Sequence, residues 1–238
     1  CARYLELRRQ LLTGQLDAAE HALDAIDPTT LPPALRVAHE LVVTGVAMRR
    51  LRTQEARLAL IRAEVFARDA GIPALLAEVQ SATAQLDAPA ARLIARGGIR
   101  SIGLDEVASL LASPTLVVDA CRLAVSEAGA VVSLASRPVL FALARTLAEA
   151  WPDDVARDTL IAHAFRTRHA DETLRARLRV EIGRLRTVLS SMAGIHATKR
   201  GFALAPRQAT EVAVLAQEMA NGADQHRSEH VAQPAGRR

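Results

Sequence analysis

From Asp171 to Leu189 the chain reads DETLRARLRVEIGRLRTVL, with Leu174, Leu178, Ile182, Leu185 and Leu189 as its recurring large aliphatics. At about 100° per residue these five fall in one sector of a helix. The segment is therefore expected to be an amphipathic helix laid on a core. The opposite sector holds Thr173, Ala176, Arg177, Val180, Gly183, Arg184 and Thr187, and its middle is small: Ala176, Val180 and Gly183. Arg175, Arg179 and Arg186 lie on one flank, and Arg177 and Arg184 lie toward the other. Asp171 can cap such a helix, and Glu172 suits its positive end.

Just beyond comes Thr198-Lys199-Arg200-Gly201-Phe202, which contains the single lysine of the chain. Residues 171–201 carry six arginines and one lysine against three carboxylates, an excess equal to the +4 of the whole chain. The rest is neutral. Excess charge confined to one helix and one turn points to a polyanion partner. A helix entering a DNA major groove about 12 Å wide wants small residues facing the base edges and guanidiniums reaching the phosphate walls. The competing account is a solvated face, its arginines paired with Glu181 and neighbours. Arginine outnumbers lysine 29 to 1, which reflects coding bias more than selection for bidentate contacts.

Half of the 238 residues are hydrophobic but only 3% are aromatic, so Leu, Ala and Val must build the core, and packed helices are favoured over a sandwich or barrel. Residues 2 to about 96 read as helices in hairpins, punctuated by Gly14, Asp27-Pro28, Pro32-Pro33, Gly71 and Pro73. Pro89 is expected to open a last short helix ahead of Gly97-Gly98. The pattern suits an α-solenoid and a plain bundle alike. Gly14-x-Leu16-x-x-Ala19-x-x-x-Leu23 resembles the second helix of a tetratricopeptide repeat, over one hairpin only. Residues 99–114 read as a linker with a short helix, Leu104 to Leu111. Thr115 to Asp119, Arg122 to Val125 and Val131 to Leu134 have strand character, with a turn at Glu127-Ala128-Gly129. Helices resume at Ser136, an expected N-cap. Residues 207–220 are expected to form a C-terminal helix and 221–238 a disordered tail.

Residues 115 to about 205 resemble the winged helix-turn-helix domain of the OmpR/PhoB-type transcription regulators. Val132-Ser133-Leu134 stands where that family has its last strand before helix one, and Leu140, Phe141 and Leu143 match that helix. Pro152 and Val155-Ala156-Arg157-Asp158-x-Leu160-Ile161-x-x-x-Phe165 resemble the following segment. Leu178, Ile182, Leu185 and Leu189 match the buried stripe of the recognition helix, Arg184-Leu185-Arg186 its basic tripeptide, and Thr198-x-Arg200-Gly201 the wing. The chain is expected to be mainly α: α-solenoid-like helical hairpins over 1–98 from the periodicity, then, as the resemblance implies, an α+β winged helix domain over 115–206. The resemblance implies duplex DNA as partner, bound through Arg157, Thr173, Arg175, Ala176, Arg177, Arg179, Val180, Arg184, Arg186, Thr198, Lys199, Arg200 and Gly201, with Gly201 supplying the wing's turn. It also implies RNA polymerase contact through the loop 166–170. The wing is shorter than is usual in the family, Phe202 following Gly201 directly. The family's N-terminal receiver, which needs an acidic pocket and a lysine, has no counterpart in the lysine-free helical half.

The sequence offers no enzyme. Lys199-Arg200 is not a phosphate-loop Gly-Lys-Ser/Thr, and there is no G-x-S-x-G elbow, C-x-x-C pair or H-E-x-x-H helix. No cofactor or metal is expected. His226 and His230 have i, i+4 spacing but lie in the tail. Cys1 and Cys121 form no disulfide framework; Cys121 is expected as a small core residue, and a reducing, bacterial-type cytoplasm is the simpler setting. No apolar run reaches membrane-spanning length. A chain beginning at Cys1 without initiator Met is expected to be a fragment. The helical half is expected to sense an effector, bind a protein partner or form a homodimer. The alternative function is a protein-interaction scaffold, with the hairpins as a peptide groove.

Overall fold

The computed structural model describes residues 2–167 and 171–217. Its first half is helical: α1 (Ala2–Leu12), α2 (Leu16–Asp24), α3 (Pro33–Arg49), α4 (Thr53–Ala70) and α5 (Pro73–Asp87). The punctuation acts as the sequence implies. Gly14 takes φ 73° between α1 and α2, Pro33 and Pro73 fill the first turns of α3 and α5, and Gly71 closes α4 at φ 64°. Alanines 56, 59, 63 and 67 form the buried face of α4, which lets α3 come close. Two aliphatic cores result, one around Leu7, Leu11, Leu23 and Val42, the other around Val37, Leu60, Val79 and Leu86.

After α5 the structure departs from expectation. The short helix expected from Pro89 is strand β1 (Ala91–Ala95), paired antiparallel with β2 (Gly98–Ile102). Arg96 (φ 47°) and Gly97 (φ 75°) make the two-residue turn, both left-handed as tight hairpins require. Periodicity alone cannot separate helix from strand in so short an apolar run; pairing on both sides decides it. The stretch 99–114 holds all of β2 but its first residue, and α6 (Leu104–Ala112), the latter where the sequence places a helix.

Strands β3 (Leu116–Asp119), β4 (Ala124–Glu127) and β5 (Ala130–Ser133) follow, the second starting later than the sequence suggests because Leu123 turns left-handed at φ 52°. Cys121, expected in the core, is exposed in the turn between β3 and β4. Then come α7 (Pro138–Ala150), β6 (Val155–Ala156), α8 (Arg157–Phe165), α9 (Glu172–Val188), β7 (Ala193–Ala197) and β8 (Gly201–Pro206). The N-cap of α7 is Arg137 rather than Ser136, with Pro138 in the first turn. Strands order as β6-β8-β7 in a small antiparallel sheet. Leu140, Leu143 and Leu147 of α7 sit in the largest core with Leu160, Ile161, Leu178, Ile182 and Leu185.

The expected C-terminal helix is the largest correction. Residues Val212–Gln217 form strand β9, inside a six-stranded sheet of order β2-β1-β9-β3-β4-β5. It runs parallel to β3 and antiparallel to β1. Val212 and Val214 enter the core beneath α7, while Ala213 and Leu215 enter a second one with Leu93, Ile102 and Val107. A strand buried on both faces reads as an unbroken apolar run, which mimics a buried helix. Residues 218–220 and the tail lie outside the described residues. The described part is thus predominantly helical with a mixed sheet, and none of its helices is long and apolar enough to cross a membrane.

Two outcomes follow from this packing. Val214→Asp would place a carboxylate where exposure is 0% and should abolish the cooperative thermal transition; Val131→Asp, 66% exposed on the edge strand β5, should shift stability by no more than about 0.5 kcal/mol. In α3, burial pushes the His39 imidazole below its ordinary value, Glu40 opposing this and Arg62 adding to it. The unfolded chain therefore takes up the proton first. This contribution to stability is complete above the unfolded value of 6.5 and is lost as pH falls through the folded one. Thermal melts between pH 7 and 5 should fall more steeply for the native chain than for His39→Gln.

Candidate nucleic-acid interface

Helix α9 is seated as its stripe dictates. Asp171 caps it, its carboxylate accepting from Leu174 N at 2.7 Å. Leu178, Ile182, Leu185 and Leu189 are buried and Leu174 packs half-buried against the same core. The face opposite is open: Thr173, Ala176, Arg177, Arg184 and Thr187 are exposed, as is Val180 at 53%. Gly183 is half-buried, yet a Cβ there would meet nothing within 4 Å. Its lack of a side chain serves no packing inside the chain.

The arginines divide into two groups. Arg186 donates from Nε to Ile195 O at 2.7 Å, fastening α9 to β7, and its guanidinium lies 5.9 Å from the Phe202 ring centre. Arg157, at the start of α8, donates to Thr198 O and Lys199 O at 3.1 Å each and lies 5.5 Å from the same ring. These two are committed to the fold. The others carry lighter contacts. Arg175 is 3.6 Å from Asp158 and 3.9 Å from Glu172, Arg179 is 3.1 Å from Glu172, and Arg184 is 2.8 Å from the buried Glu181. Arg177 lies over Phe165 at 4.7 Å. Exposed ion pairs contribute about 0–1 kcal/mol, so phosphate can replace those of Arg175 and Arg179 at little cost; the Arg184 pair differs, because its partner Glu181 is buried.

The turn between β7 and β8 is held from behind. Thr198 Oγ1 donates to Asp154 Oδ2 at 2.6 Å and accepts from Gly201 N at 2.8 Å; Arg200 is 3.6 Å from Asp154. Lys199 and Arg200 are exposed, and Lys199 has no ion-pair partner among the described residues. Thr198 is thus a structural hydroxyl. Gly201, expected to supply the wing's turn, is the first residue of β8, and its backbone is not left-handed. It is glycine because a Cβ would stand 1.7 Å from Val155 O where β8 pairs with β6. The structure therefore brings Arg157, Thr198, Lys199, Arg200 and Gly201 together around one turn and keeps Thr173, Ala176, Arg177, Val180 and Arg184 on one helix face. Two partners escaped the sequence reading: Asp154, which lies 44 residues from its hydroxyl partner, and Phe165, which the resemblance matched but did not place beside Arg177.

Residues 168–170 of the loop assigned to RNA polymerase lie outside the described residues, as do His226 and His230. Residues 166–170, Arg-Thr-Arg-His-Ala, contain no carboxylate to neutralise α9. No family model, curated protein or solved structure matches this chain.

The two glycines should respond in opposite directions. Gly201→Ala must separate β6 from β8 and is expected to cost at least about 1–3 kcal/mol in urea unfolding. Gly183→Ala fills open space in a helix interior and should add about 0.5–1 kcal/mol.

Proposed function

We propose that the chain is a cytoplasmic transcription regulator that binds duplex DNA through a winged helix of the OmpR/PhoB type, with α9 in the major groove and the Lys199-Arg200 turn on the adjacent backbone or minor groove. One observation carries the proposal. A leucine stripe fixes α9 while its outward face presents Ala176, Val180 and Gly183 flanked by arginines, of which Arg175 and Arg179 make exposed ion pairs, Arg177 stacks on Phe165 and Arg184 pairs with the buried Glu181. Specificity then falls to Thr173, Arg177 and Val180, and phosphate contact to Arg175, Arg179, Arg184, Lys199 and Arg200. Arg157, Arg186, Thr198 and Gly201 act by shaping the helix and the turn. The helical half is the sensor or partner-binding part, and the chain acts without a catalytic step or cofactor.

A second reading, a protein-interaction scaffold, draws support from Leu58, Ile61 and Val65, which recur along α4 at 56%, 59% and 48% exposure. The same stripe suits a homodimer.

Gel shifts of the full chain on genomic fragments decide between them. Binding should weaken steeply between about 50 and 200 mM salt; absence of salt-sensitive binding to any duplex would sink the DNA proposal. Lys199→Ala should weaken all duplexes alike and flatten the salt slope by about 1, whereas Arg177→Ala should cost about 1–3 kcal/mol on the preferred site and relax its sequence.

A further inference from the structure

The helical half carries a cleft of about 360 Å³ where the Pro28–Thr30 turn meets α3 and α4, within the size range of small-molecule sites. Its apolar wall is Phe66, Val43 and Pro28. Two guanidiniums border it, and each is held in place before any ligand arrives. Arg36 donates to Leu31 O at 2.9 Å and Thr29 O at 2.5 Å and lies 5.4 Å from the Phe66 ring centre. Arg62 donates through Nε and one terminal nitrogen to the two oxygens of Glu40, at 2.9 and 2.7 Å. A guanidinium has five N–H donors, so each arginine keeps donors on its other terminal nitrogen. Glu40 is 5% exposed and bound by Arg62, which leaves one net positive charge among the side chains that line the cleft, with Asp27 the nearest further carboxylate to Arg36.

The back of the cleft adds a buried polar side chain. His39 is 7% exposed, with Tyr4 Oη 3.4 Å from its Nδ1. His39 and Val43 also wall a second cleft of about 510 Å³ on the other side. That one is bordered by Glu20, Asp24 and Glu55 against Arg52, so the two faces of the partition are electrically unlike. An anion is favoured on the Arg36 side and disfavoured on the other.

We infer that the cleft between the Pro28–Thr30 turn, α3 and α4 binds a small monoanionic amphiphile. Its apolar body lies against Phe66, Val43 and Pro28, and its carboxylate or comparable acidic head is held by Arg36 and Arg62. Pre-set guanidiniums lose little freedom on binding, which favours a small ligand.

The test uses the full chain, with sodium benzoate and sodium hexanoate as anionic probes, benzyl alcohol as neutral control and benzamidine as cationic control, in calorimetric titrations and thermal melts. Both anions should saturate and raise the melting temperature, benzyl alcohol should bind at least tenfold more weakly, and benzamidine should not bind. The double variant Glu40→Gln with Arg62→Gln keeps a neutral amide pair and should weaken benzoate at least tenfold. Phe66→Leu leaves the charges alone and should weaken benzoate more than hexanoate, which supplies a readout should the double variant not fold. No saturable anion binding up to about 10 mM, equal binding of benzoate and benzamidine, or binding untouched in the folded variants would each overturn the assignment.

Discussion

Main-chain pairing of Val212–Gln217 is the constraint on which the rest of this structure depends. The strand lies between β1 and β3, so segments more than a hundred residues apart share one hydrogen-bond ladder. Its side chains feed both cores that flank the sheet. Without it β1 and β2 would be an isolated hairpin, marginal by itself in water, and β3 would expose an edge beneath α7. The helical half continues directly into β1, and α6 ties back to it. Leu104 packs on the α3–α4 core, and Asp105, kept below the usual carboxylate range by hydrogen bonds from Thr53 and Arg57, bridges to α4.

A second division of labour lies among the arginines. A count of positive charge treats Arg157, Arg177, Arg184 and Arg186 alike, yet their surroundings rank them differently. Hydrogen bonds from a guanidinium to a partly buried carbonyl contribute about 1.5–3 kcal/mol, whereas an exposed ion pair contributes about 0–1. By that measure Arg186 and Arg157 belong to the scaffold, joining α9 and α8 to the small sheet around Phe202. Arg179 and Lys199 remain available, while Arg184 compensates the buried Glu181. Phe202, which follows Gly201 directly, is the shared neighbour of two cations, and Gly201 is needed for strand approach.

What was legible in the sequence tracks how local its cause is. The stripe of α9, its Asp171 cap and the ends of α3, α4 and α5 at Pro and Gly were readable because each depends on residues within a turn or two. The start of α6 and the Ala128-Gly129 turn were readable for the same reason. Ala91–Ala95 and Val212–Gln217 were not. Each is a short apolar run with no period of its own, and only pairing with distant strands makes it extended. The candidate interface divides in the same way. The exposed face of α9 could be drawn on a wheel. The contact of Thr198 with Asp154 and the approach of Gly201 to Val155 depend on chain separations of 44 and 46 residues, and no spacing rule reaches them.

The connection between the halves is itself paired and packed structure. A flexible linker would leave the helical part free to act by proximity alone. Here the link is a paired hairpin, a buried central strand and an α6 held to α4 through Asp105. Closely packed interiors shift between discrete arrangements more readily than they deform continuously. Arg57 and Leu104 join the α3–α4 pair to α6, Val107 of α6 packs on the sheet, and the sheet shares its core with α7 and α9. The elements that carry the exposed arginines are thus continuous, by contact, with the elements that enclose the Arg36 cleft.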